Sequence, residues 1–273
     1  MIIMPELPEV ETTCRGIAQL LVSKIVEGGT VYNRRLRYTV QSDLIEKLTG
    51  QTLLDIQRRA KYIIMKFSKG ALIIHLGMSG SLRVLDAVQK RRKHDHIEIL
   101  FNKLLLRYHD PRRFGAFVWT ESDPLKHKML RDLGVEPLAK KFTGQFLYEE
   151  TRKTRSAIKN VLMNNRLVVG VGNIYANEAL FRAGIHPKRP AYNISKKRYQ
   201  VLVNQIKNVL SQSIRDGGTT LRDFYKNDGE PGYFKTKLKI YGRKGLPCER
   251  CGQKVRVLVI AQRTSYYCVR CQT

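Results

Sequence analysis

The sequence predicts an α+β chain in three parts: an N-terminal β-sandwich or flattened barrel with flanking helices, a helical domain, and a small four-cysteine ribbon. Three observations carry this. Between about residues 24 and 120 the chain breaks into short apolar runs punctuated by Gly, Asn and Asp. Beyond residue 144 the apolar spacing changes to that of helices. The last twenty-six residues hold two cysteine pairs, Cys248-x2-Cys251 and Cys268-x2-Cys271, with sixteen residues between the inner cysteines.

Taken in order, residues 5–23 open with acidic residues, which suit a helix N-terminus, and place Val10, Cys14, Ile17, Leu20 and Leu21 on one side. The strand-like runs include Lys61–Phe67, Ala71–Leu76, Gly80–Leu85, His96–Phe101, Lys103–Tyr108 and Ala116–Trp119. Their close spacing favours antiparallel pairing over βαβ units. Lys126–Thr143, with Gly134, Pro137 and Lys140-Lys141, reads as the connection between domains. Helices are expected at 144–163, 173–183 and 195–215, and a loop at 216–235. The expected division is 5–130 for the sandwich, 131–143 for the linker, 144–238 for the helical domain and 239–273 for the ribbon.

Four thiolates at the ribbon's spacing match one structural zinc per chain, bound by Cys248, Cys251, Cys268 and Cys271; disulfides or free thiols are the alternatives. The insert Lys254–Tyr267 reads as two strands, with Val255, Val257 and Val259 alternating on one face and Arg263 at the hairpin tip.

Fifty Lys and Arg against 23 Asp and Glu give a net charge of +27. An excess of that size points to a polyanionic partner, foremost the nucleic-acid phosphate backbone. An anionic membrane is the competing reading. The chain shows no basic amphipathic helix with a clean apolar face, no lipidation motif and no apolar run approaching 18 residues, so no membrane partner is expected. Met1-Ile2-Ile3 is too short for a secretory apolar segment. Four of the five cysteines are assigned to metal, which suits a reducing compartment, and Cys14 is expected to pack as a small apolar residue.

Several segments could carry chemistry. If translation begins at Met4, removal of that methionine exposes Pro5 as a secondary amine, a nucleophile for a carbonyl-like carbon. Glu6 beside it could supply a proton. Lys61 leads into a strand and is suited to a phosphate. Asn173, after Val168-Val169-Gly170-Val171-Gly172, reads as the cap of a helix whose N–H groups could face a phosphate. Asp110-Pro111-Arg112-Arg113-Phe114-Gly115 sets two guanidiniums and an aromatic ring in a turn, a wedge and clamp for a groove or a set of salt bridges around a packed Phe. His75-Leu76-Gly77-Met78-Ser79-Gly80 is a Gly-rich turn with an exposed Met.

Together these segments resemble the formamidopyrimidine-DNA glycosylase family, from Met4 to the C-terminus. The matching motifs are Pro5–Glu11, Arg58–Lys61, His75–Gly80, Lys93–His96, Asp110–Gly115, Val169–Ala176, Tyr241–Gly245 and the four-cysteine ribbon. The resemblance implies a helix–two-turn–helix domain and a base-excision repair enzyme, a bifunctional glycosylase and AP lyase that removes oxidised purines flipped out of duplex DNA. It implies that Pro5 attacks C1′ and forms the Schiff base, and that Glu6 is the acid that opens the sugar. Lys61 and Arg263 match the family's proton donors and phosphate contacts in β,δ-elimination. His94, Arg113, Arg155 and Asn173 match DNA-binding positions, and Met78, Arg112 and Phe114 match residues that fill the gap left by the flipped base. The loop 216–235 resembles the segment that closes over the extruded purine. A monomer at work in the bacterial cytoplasm on the nucleoid is the implied setting. The family begins at Met-Pro, so Met1-Ile2-Ile3 is a departure. An endonuclease VIII-like enzyme for oxidised pyrimidines and a non-catalytic zinc-ribbon DNA-binding protein are the alternative readings.

Overall fold

The computed structural model describes residues 5–218 and 238–273. The described residues before Leu133 form one compact unit; Leu133–Arg215 and the residues from Leu238 form a second.

In the first unit, helix α1 spans Leu7–Leu21. Glu6 and Glu9 form a reciprocal capping box at its start, with the Glu6 amide donating to Glu9 Oε2 at 2.9 Å. Its stripe of Leu7, Val10, Cys14, Ile17 and Leu21 is buried. Cys14 packs as expected, and burial pushes its thiol pKa up, so it is an inert core group.

Eight strands follow: β1 (Val26–Val31), β2 (Leu53–Arg59), β3 (Tyr62–Phe67), β4 (Gly70–His75), β5 (Ser81–Asp86), β6 (Asp95–Phe101), β7 (Leu104–His109) and β8 (Ala116–Thr120), with a short helix α2 (Leu44–Leu48) after β1. They make two four-stranded antiparallel sheets, ordered β1-β6-β7-β5 and β2-β3-β4-β8. Alternate residues of both sheets share one core: Leu82, Val84, Ile97, Ile99, Phe101 and Tyr108 from the first, Ile63, Met65, Leu72, Ile74, Phe117 and Trp119 from the second. The α1 stripe packs into the same core. The fold is therefore an open sandwich, and the closed-barrel alternative does not apply.

The second unit holds α3 (Gly144–Thr151), α4 (Ile158–Leu162), α5 (Asn173–Arg182), α6 (Lys196–Gly218) up to Arg215, and a hairpin of β9 (Arg256–Ile260) and β10 (Arg263–Tyr267). The single helix expected over 144–163 is broken. Arg152 ends α3 by turning its guanidinium to the carbonyls of Tyr192 and Ile194, at 2.6 and 3.0 Å, and Ala157 bridges to Pro190. Those partners are distant in sequence, and they outcompete helix continuation. Helix α6 continues to Gly218, so the start of the expected 216–235 loop is helical. The rest of that loop lies outside the described residues.

Candidate active site and nucleic-acid interface

Pro5 is buried immediately ahead of α1, and Glu6 is 1% exposed. Glu11, on the same helix, accepts from Arg58 Nε at 2.8 Å, and Arg58 also donates to the carbonyl of Ala60 at 2.9 Å. Arg59 pairs with Tyr62, so Ala60 and Lys61 form a two-residue hairpin turn, with Ala60 at φ 54°. A non-glycine residue in the left-handed region costs on the order of 1 kcal/mol, and here the Arg58 contacts hold it. The result ties the turn that presents Lys61 to the helix that begins after Pro5 and Glu6. Beside Lys61, His75 stacks on Tyr62 with ring centroids 4.8 Å apart and accepts the Gly77 amide at Nδ1. Burial, Lys61 and Arg37 lower its pKa to about 4, so it is neutral near pH 7.

The second constellation is built on Asp110, which is fully buried. Its carboxylate accepts from Ser79 Oγ (2.6 Å), Tyr108 Oη (2.8 Å), the Gly115 amide (3.0 Å) and the Arg112 amide (3.2 Å). Its carbonyl accepts from His96 Nε2 at 2.8 Å, and its amide donates to the carbonyl of His94. One carboxylate thus joins the turns that carry Met78, His94, Arg112, Arg113 and Phe114. Gly115 is required: a Cβ there would stand 1.7 Å from Tyr108 Oη. Arg112 lies 4.9 Å over the Phe114 ring, which is 45% exposed, and Arg113 is exposed at φ 58°. Among the described residues neither guanidinium pairs with a carboxylate, so the salt-bridge reading does not apply. Met78 is half-buried rather than exposed. His94 stacks edge-on to His109 at 5.8 Å; burial, His109 and Lys93 lower its pKa.

In the second unit, Gly172 rather than Asn173 is the cap of α5. Asn173 is the first helical residue, and its carbonyl accepts from Asn177 Nδ2 at 2.6 Å. Gly172 takes the cap position because its backbone is extended there, with φ −101° and ψ −162°, and Asn173 already has helical geometry. Arg155 is exposed in the stretch between α3 and α4. Arg263 is exposed at the first position of β10, directly after Ala261 and Gln262, whose φ values of 45° and 60° make the two-residue turn of a tight hairpin. The hairpin is docked: Lys159 Nζ donates to the Thr264 carbonyl and Ser265 Oγ, and the Tyr266 amide donates to Asn177 Oδ1 at 2.7 Å. Valine alternation does not define a buried face. Val255 is buried but Val259 is 72% exposed, because the hairpin projects beyond the small core that Val255 shares with Phe181, Ile240, Cys248 and Cys268.

The Sγ atoms of Cys248, Cys251, Cys268 and Cys271 all lie within 4.8 Å of one another. The pairs Cys251–Cys268 and Cys248–Cys271 are 3.5 and 3.9 Å apart, far beyond a disulfide bond. A tetrahedron of about 2.3 Å zinc–sulfur bonds has edges of about 3.8 Å, so the four sulfurs fit zinc. Burial and the three neighbouring thiols push Cys271 up to about 12, so a bound cation would be the natural counter-charge for its thiolate. All four ligand positions are taken by the chain, which makes the site structural.

Sequence reading missed the residues that hold the site together: Asp110 as a hub, Arg58, Lys159, and Glu178, whose carboxylate accepts from the amides of Lys239, Ile240 and Tyr241. The available signal was charge within otherwise apolar segments, as with Lys159 in Ile158–Leu162.

Known proteins match this arrangement along its whole length. The model for the formamidopyrimidine-DNA glycosylase N-terminal domain matches residues 4–117, that for the family's H2TH domain 133–225, and that for a zinc finger found in FPG and IleRS 245–273. Formamidopyrimidine-DNA glycosylases of Methylococcus capsulatus and Pseudomonas aeruginosa are each 52% identical over 270 residues, 98% of this chain and 100% of the relative. The Lactococcus lactis Fpg in complex with abasic-site DNA superposes with a TM-score of 0.90 at 33% identity, covering 98% of this chain and 100% of that one. The same protein in complex with a Fapy-dG-containing DNA gives 0.89 at 32%, with the same coverage. A β-sandwich, a helical domain and a four-cysteine ribbon in this order define the Fpg-like fold. The chain belongs to the formamidopyrimidine-DNA glycosylase family.

Proposed function

We propose that this chain excises 8-oxoguanine and formamidopyrimidines from duplex DNA and cleaves the resulting abasic site, acting as a monomer on the nucleoid in the bacterial cytoplasm. The observation that carries the chemistry is the head of α1, where Pro5 and the buried Glu6 precede a helix joined through Glu11 and Arg58 to the turn bearing Lys61.

Pro5 attacks C1′ as an amine, the glycosidic bond breaks and the base leaves with a proton. Glu6 protonates the ring oxygen, the sugar opens and an iminium joins Pro5 to C1′. Loss of the C2′ proton with the 3′-phosphate, then of the C4′ proton with the 5′-phosphate, severs both strand ends. Hydrolysis of the iminium frees Pro5 and releases the sugar remnant as an unsaturated aldehyde, leaving a one-nucleotide gap. Lys61 and Arg263 supply protons and hold phosphates in these steps. His94, Arg113, Arg155 and Asn173 grip the backbone, and Met78, Arg112 and Phe114 occupy the space the flipped base vacates. Held by Cys248, Cys251, Cys268 and Cys271, zinc would cross-link the base of the hairpin that carries Arg263. Iminium chemistry requires a free amine, so Pro5 works only once residues 1–4 are removed.

Borohydride reduction on an 8-oxoguanine·cytosine duplex tests this reading. A covalent protein–DNA adduct is expected; binding without an adduct would leave the non-catalytic alternative.

A further inference from the structure

The segment Lys90-Arg91-Arg92-Lys93 enters none of these steps, yet it is fixed more firmly than a solvated charge run requires. Arg107 is 2% exposed. It donates to Glu98 at 2.7 Å and to the carbonyls of Gln89 and Lys90 at 2.6 and 3.1 Å. Asp95, the buried first residue of β6, accepts the Arg92 amide at 2.7 Å and returns its own amide to the Arg92 carbonyl. Arg91 lies 4.3 Å over the Tyr32 ring, and Tyr32 donates to Glu98 at 2.8 Å. The carboxylates of Asp95 and Glu98 are engaged beneath the segment with Arg83, Arg107 and His109. All four cationic residues are exposed, and among the described residues Lys90 and Lys93 have no carboxylate within ion-pairing distance.

We propose that Lys90–Lys93 is a second phosphate-holding ridge, which extends the duplex footprint beyond the contacts of His94 and Arg113. The proposal rests on the DNA-binding reading above. The ridge is continuous with that interface: it runs directly into His94, whose carbonyl accepts the Asp110 amide, so its backbone and the Asp110–Gly115 turn are one hydrogen-bonded body. Fixing the backbone beforehand removes part of the ordering cost of each phosphate contact. An anionic bilayer is the poorer match: of the large apolar side chains exposed beside the ridge, Tyr32 is covered by Arg91 and bonded to Glu98, which leaves the single valine Val88 to insert.

The test is K90S/K93S in the full chain, substitutions at exposed side chains that leave the Arg107 and Asp95 contacts in place. Binding to undamaged duplex and to duplex with an abasic-site analogue is measured from low to moderate salt. The log–log salt slope is expected to flatten by roughly one to two units, and low-salt affinity to fall about tenfold on both duplexes, since each lost phosphate contributes about 0.9 to the slope. The ratio between the two duplexes should not change, because the ridge reads no base. An unchanged slope and affinity overturns the ridge; so does a variant that loses binding to phosphatidylserine vesicles and keeps wild-type binding to duplex. Borohydride trapping by the unmodified chain reads the catalytic proposal separately. If the unmodified chain traps and K90S/K93S keeps its slope, only the ridge falls.

Discussion

Lys159 donates from Nζ to Ser265 Oγ at 2.7 Å across 106 residues of chain, and both side chains are buried. The ammonium of α4 therefore holds the hairpin strand that begins with Arg263. Lys159→Met leaves the Ser265 hydroxyl and Thr264 carbonyl without this donor, and is expected to cost about 2–3 kcal/mol. Urea unfolding checks the cost. A parallel drop in borohydride trapping with unchanged helical circular dichroism checks that the loss passes through Arg263.

Asp110→Asn should be severe. The amide nitrogen cannot accept from Ser79, Tyr108 or the Gly115 and Arg112 amides that now converge on two oxygens. A loss of about 2–4 kcal/mol is expected. Base excision should fall with it, because the same bonds place Arg113 and Phe114. A denaturation midpoint equal to that of the unmodified protein would contradict the hub assignment.

His75 gives a pH dependence of defined sign. Its folded pKa of about 4 lies below the unfolded value of 6.5, so the unfolded chain binds the proton more tightly. The stability it contributes is fully present above about pH 6.5 and is lost as pH falls towards 4, by roughly 2–3 kcal/mol. His75→Gln should flatten the stability profile in that window and leave it unchanged above pH 7.

Removing zinc should remove DNA binding before it removes the fold. Metal analysis is expected to give one zinc per chain, and Cys251→Ala should give none. Chelation should leave the helices of the second unit intact by circular dichroism while weakening duplex binding.

Active protein should begin at Pro5. Intact-mass analysis of the reduced adduct is expected to show a chain lacking Met1–Met4. An adduct that retains them would exclude Pro5 as the nucleophile.

Much of the sandwich was legible because β3 to β8 are short, largely apolar runs set off by Gly, Asn and Asp, and the observed strands lie within a residue or so of those expected. β1 was not, since Val-Glu-Gly-Gly-Thr-Val carries little apolar signal. Gly29 is there because a Cβ would meet the Glu98 carbonyl of β6 at 2.3 Å, which is a tertiary fact. The break after α3 was hidden for the same reason, as Arg152 finds its acceptors some forty residues away. Within the candidate site, Pro5, Lys61 and Arg263 have no individual signature and became readable only as ordered motifs. The cysteines were readable alone, because metal geometry fixes their spacing. The hubs were not, because a buried Asp110 or Lys159 declares its role only through partners that the chain brings from elsewhere.

Glu178 has a consequence for how this molecule fails. It is 1% exposed and receives three successive amides, Lys239 to Tyr241, upstream of the first cysteine pair. That attachment owes nothing to the metal. Stripped of their ion, the cysteine knuckles are expected to loosen and their amides to exchange with solvent, while the amides of 239–241 and the hairpin held by Lys159 and Asn177 stay protected. The loosened knuckles remain tethered to α5, in place to close again when zinc returns, and the helices beneath them need not melt.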